Sequence, residues 1–159
     1  PMMFRALVCS LVFVSACASS DTSVPANKNA AGPAADVVAT NSLPAQTLEP
    51  GTCGLFLWSR DEPRHFVFFH VAGTDTAQMV FEGREQTMGI ESQSGDIFGQ
   101  FLTQMTLRSE DSRPVSLTLS PGEEIDGGRR VPLARMISQD VQGWEIITPL
   151  TGLTACQPE

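Results

Sequence analysis

From residue 51 onward the sequence predicts an all-β domain, a small antiparallel β-barrel or sandwich of about 7–8 strands. Three observations predict it. Short runs that are apolar, or alternate apolar with polar, recur at spacings of about 8–12 residues between turn signals. Beyond the N-terminal stretch, no window of about a dozen residues shows a 3.6-residue apolar period. A single cysteine stands near each end of the stretch, Cys53 and Cys156.

The elements follow in order. Residues 55–58 are apolar and strand-like, and the polar stretch 60–63 ends them. Residues 65–71 form the strongest strand signal, with Phe66, Val67, Phe68 and Phe69 in succession. Gly73 to Asp75 turns the chain, and 77–82 alternates, with Met79 and Phe81 on one face. Gly83 supplies a tight turn, and 85–91 alternates weakly through Met88 and Ile90. Residues 93–99, with two glycines, are expected to be a loop. In 101–108, Phe101, Thr103, Met105 and Leu107 share a face, which Leu102 interrupts. Val115, Leu117 and Leu119 alternate with Ser116 and Thr118. Residues 131–137 and 143–148 complete the set.

The N-terminal part reads differently. Arg5 is followed by an apolar or small run over 6–16, the length of a secretory core and too short for the roughly 20 residues that span a bilayer. The run ends Val14-Ser15-Ala16-Cys17. A branched apolar residue, two small residues and a cysteine resemble the lipobox of bacterial lipoprotein precursors. The resemblance covers only the leader and its cleavage site. It implies a signal peptide over 1–16, lipidation of Cys17, and attachment to a membrane of the cell envelope. Ala18 in place of an aspartate implies the periplasmic face of the outer membrane in a host that has one. Residues 17–50 then read as the lipidated cysteine and a flexible linker. They carry no aromatic residue, and Pro25, Pro33, Pro44 and Pro50 interrupt any regular element. About 33 residues of coil reach roughly 30 Å.

Four cysteines divide by position. Cys9 lies in the leader and Cys17 is assigned to lipid, which leaves Cys53 and Cys156. Export implies an oxidising compartment, so the two are expected to form a disulfide. They lack the spacing and histidine partners of a metal site.

The chain has 10 Lys and Arg against 18 Asp and Glu, a net charge of −8. Without clustered cations it is not a nucleic-acid binder, and its acidity opposes adsorption to anionic lipid. A basic protein partner is compatible with the charge.

Catalytic signals are sparse. His65 and His70 sit five positions apart on one expected strand and so project to opposite faces. Each could act only singly with an acid such as Asp61 or Glu62. The acidic pairs Asp61-Glu62, Glu110-Asp111 and Glu123-Glu124 lie in turns, where carboxylates are solvated. No cofactor or metal motif is found. The chain is therefore expected to be a non-enzymatic envelope lipoprotein that binds a protein or envelope component. Lipidated lysozyme inhibitors, which are small disulfide-closed barrels, offer an analogy at fold level only. The aromatic cluster of Trp58, Phe66, Phe68 and Phe69 is the expected binding surface. The alternatives are a carrier of a small apolar ligand inside a barrel, or a hydrolase using His65 or His70.

Overall fold

The computed structural model describes residues 40–159. The expected leader, Cys17 and the expected linker as far as residue 39 lie outside the described residues. The described chain is all-β: β1 (Cys53–Ser59), β2 (Phe66–Val71), β3 (Thr76–Phe81), β4 (Arg84–Phe98), β5 (Phe101–Arg108), β6 (Pro114–Ser120), β7 (Glu124–Ile125), β8 (Gly128–Gln139) and β9 (Glu145–Cys156). Every pairing is antiparallel, and the sheet runs β6-β5-β4-β3-β2-β1-β9-β8. A further pairing of β6 with β8 closes it into an eight-stranded barrel, with β7 a short extra strand on β8.

Alternation explains the closure. Leu55 and Leu57 of β1, Phe68 of β2, Met79 and Phe81 of β3, and Met88 of β4 are buried on one face. Met105 and Leu107, then Val115, Leu117 and Leu119, continue that face around β5 and β6. An eight-stranded barrel is just wide enough for such side chains to fill it. The first and last strands complete the ring, with Cys53 opposite Cys156 and Ser59 opposite Leu150. The Cys53–Cys156 disulfide fastens that seam.

Three elements depart from the sequence expectation. Residues 93–98 are strand, because β4 continues to Phe98, and Gly99 lies in the turn that follows. Irregularities between Ile90 and Ser92 and between Ser94 and Ile97 absorb the extra residues, and Gly95 sits at a φ of +87° within the second. From residue 91 to 97 both faces are exposed, so this part carries no alternation to read. The last strand runs on to Cys156 through Pro149 and Gly152, residues that ordinarily punctuate. His65 precedes β2, its carbonyl accepting from the Ser59 amide at 2.8 Å.

Residues 40–50, assigned from sequence to the flexible linker, lie along the barrel instead. The Thr40 amide donates to the Gly83 carbonyl at 2.8 Å, and the Leu43 amide to the Phe66 carbonyl at 2.6 Å. Leu43 is buried, and Leu48 meets the Phe69 ring over Gly54. Apolar surface on the barrel wall gives this segment something to cover, which its own composition does not disclose.

A candidate site at the barrel mouth

The expected aromatic surface separates into two environments. Phe68 points into the barrel and is fully buried, so it presents no surface. The pairing of β1 with β2 shifts after Leu57, whose partner is Phe68, so that Trp58 meets Phe66 and Val67 is left unpaired. This bulge puts Phe66 beside Trp58 on the outer wall, with ring centroids 5.1 Å apart. Phe56 joins them and also packs 5.0 Å from Phe69. Phe69 is buried there. Phe68 and Phe69 are therefore not part of a free binding face: one fills the core, the other lies under the 40–50 arm.

The histidines are also separate. His70 lies within the barrel, with Nδ1 3.0 Å from the Thr76 carbonyl and its ring edge-on to Phe101. In the neutral ring Nδ1–H donates to that carbonyl, and Nε2 faces apolar neighbours without a partner. Burial holds its pKa below the ordinary 6.5, partly offset by the bond to Thr76. Among the described residues Gln86 is the other buried polar side chain with an unpartnered atom, Oε1, while its Nε2 donates to the Phe81 carbonyl at 3.3 Å.

An apolar concavity lies elsewhere, at the end of the barrel where β1 stops. Pairing of β9 with β1 ends at Ser59 opposite Leu150. Residues of β9 before Leu150 pair only with β8, through Thr148–Met136, Ile147–Ile137 and Ser138–Ile146. The β8–β9 hairpin therefore overhangs the mouth. Thr148 and Ile146 continue the inward face of β9 with no strand opposite on the β1 side. Beneath them is a cavity of about 270 Å³. Val67, Phe81, Met136, Ile146 and Leu150 supply its apolar wall, with Thr148 midway and Ser59, Glu82 and Gln139 polar at the rim. The unpaired Val67 of the bulge is thus turned into this space.

Arg113 braces the other side of the mouth. Its guanidinium donates to both Glu82 oxygens, at 2.6 and 2.5 Å, and to the Gln139 carbonyl at 3.0 Å. It donates to Asp111 at 2.7 Å as well, and its carbon lies 5.0 Å from the Phe81 ring centroid. One side chain so ties the β3–β4 turn, the β5–β6 loop and the end of β8 together. Glu82 has a left-handed φ of +51°, followed by Gly83 at +71°, as a two-residue hairpin turn requires. The Arg113 hydrogen bonds hold the Glu82 carboxyl below its usual range. Sequence reasoning missed this site. Its one local signal is an arginine after the turn residues Glu110-Asp111-Ser112.

The fold and the mouth define a closed, disulfide-fastened β-barrel with an apolar opening. Comparison with protein-family models, with curated proteins and with solved structures found no match.

Proposed function

We propose that this chain is a membrane-anchored, non-enzymatic binding lipoprotein of the cell envelope whose barrel mouth receives a small apolar group, such as one short acyl tail. The observation that carries the reading is the apolar cavity of about 270 Å³ under the β8–β9 overhang. Small-molecule sites begin near about 300 Å³, so the space suits one slender tail rather than a large rigid ligand. Apart from Thr148 and the buried Ser138, its polar groups stand at the rim, where a headgroup would remain in water. The leader and Cys17 support the anchored location, since the lipobox resemblance places the thiol where a lipid would be attached.

The test uses the oxidised domain over 40–159, which contains every core side chain, the closing register and the disulfide. A polarity-sensitive naphthalene probe is expected to brighten on binding and to be displaced by decanoate. Thr148→Trp fills the cavity and is expected to weaken probe binding at least tenfold, about the effect of losing one buried apolar contact surface. Unchanged binding by the filled variant refutes the site, and no binding of probe or decanoate by the parent refutes the reading.

A further inference from the structure

The β8–β9 hairpin carries large apolar side chains where a water-soluble tip would carry polar ones. Val141 is 80% exposed and Trp144 71%, and beside them Ile146 and Ile147 are 45% and 50% exposed. The loop is built rather than loose. The Asp140 amide donates to the Trp144 carbonyl at 3.0 Å, and the Asp140 carboxylate accepts from the Gln142 and Trp144 amides at 2.8 and 2.9 Å. Its apolar side chains are therefore displayed in a fixed array, and seating them orders little further. A patch of this kind at the rim of an apolar cavity marks a contact surface.

The path of the chain indicates what the tip meets. Thr40, the first described residue, is bonded to Gly83 in the β3–β4 turn. Arg113 joins Glu82 of that turn to Gln139 at the base of the hairpin. The N-terminal part of the chain thus joins the barrel at the end that bears the tip and the mouth. An anchor at Cys17 pulls this end, not the opposite one, toward the membrane. Residues 140–145 contain no cation, while Asp140 and Glu145 carry negative charge, so anionic headgroups are not the attraction. Tryptophan with branched aliphatic residues suits the boundary between headgroups and acyl chains.

We propose that the tip formed by Val141, Trp144, Ile146 and Ile147 seats in a zwitterionic lipid surface and holds the cavity mouth at the acyl boundary. The inference rests on the anchored reading for its orientation. Bonds to Asp140 pair the Gln142, Gly143 and Trp144 amides while the tip's side chains enter the lipid. The tail that fills the cavity then belongs to a membrane lipid, entering without crossing water.

The test uses the full chain, purified with its lipid from a bacterial membrane and returned to phosphatidylcholine vesicles. The chain has two tryptophans, so Trp58→Phe leaves Trp144 as the sole reporter. Flotation with the vesicles reports anchoring, and quenching by acyl-brominated phosphatidylcholine reports the tip. The expected result is flotation with blue-shifted Trp144 emission, quenched by bromine and shielded from aqueous iodide. Val141→Asp is expected to float equally while returning Trp144 to iodide. A chain that floats with Trp144 open to iodide and untouched by bromine overturns the lipid-seated tip and leaves the anchored reading standing. A chain that does not float overturns both.

Discussion

Replacing both Cys53 and Cys156 with alanine removes the covalent fastening of the barrel seam and leaves the hydrogen-bonded pairing of β1 with β9 in place. The two residues are register partners, so the folded barrel has little reason to rearrange. The loss falls mainly on the unfolded chain, which gains the freedom of an opened loop. With a separation of 103 residues, loop entropy sets the loss at about 4.7 kcal/mol, toward the upper end of what disulfides contribute. For a domain of this size that corresponds to a fall in Tm of roughly 15–25 °C. Urea unfolding of the oxidised protein and of the double variant, followed by far-ultraviolet circular dichroism, measures the difference. Reduced parent protein should match the double variant. A loss below about 1 kcal/mol would refute the argument, because it would mean that the unfolded chain is already compact enough to keep its ends together.

Three further outcomes are expected. Burial lowers the pKa of His70, so the unfolded chain takes up its proton first, and stability falls as pH drops below about 6.5. Glu82, held low by Arg113, adds a second loss as pH falls below its ordinary 4.5. Melting curves between pH 7.5 and 5.5 should show a shallower decline for His70→Gln, and equal slopes would rule out His70 as the source. Gly152→Ala should destabilise by about 3 kcal/mol or more in urea titrations, since a Cβ there would lie 1.9 Å from the Phe56 carbonyl oxygen; a neutral variant would contradict the close approach of β1 and β9. Leu43→Asp should release the 40–50 arm, seen as faster amide exchange at Leu43 and Phe66 with the barrel core unchanged; unchanged exchange would show that Leu43 does not hold it.

Local pattern disclosed much of the barrel, and for a physical reason. In β6 the inward residues alternate strictly with exposed ones, and in the second half of β5 nearly so; Met105, Leu107, Val115, Leu117 and Leu119 are buried as that alternation requires. The disulfide was legible because setting Cys9 and Cys17 apart left one pair, at the two ends of the domain. The second half of β4 was hidden because a strand exposed on both faces has no hydrophobic period. The mouth was hidden for a different reason. It exists because β9 outruns β1 beyond the Ser59–Leu150 pair, a mismatch between strands about 90 residues apart that no local window contains. The aromatic cluster misled because Phe68 fills the core, and because the arm over Phe69 comes from a segment whose composition predicts no packing.

The joining of β1 to β9 also sets an order of events for a chain delivered N-terminus first. Until residues 145–156 emerge, the inward faces of β1 and β8 lack their shared neighbour, and the sheet remains an open ribbon with two free edges. Folding of the barrel therefore waits for the whole domain, and late, long-range closure is intrinsically slow. A chain that cannot complete its fold early stays open until its last strand arrives, and only then do Cys53 and Cys156 come to face each other.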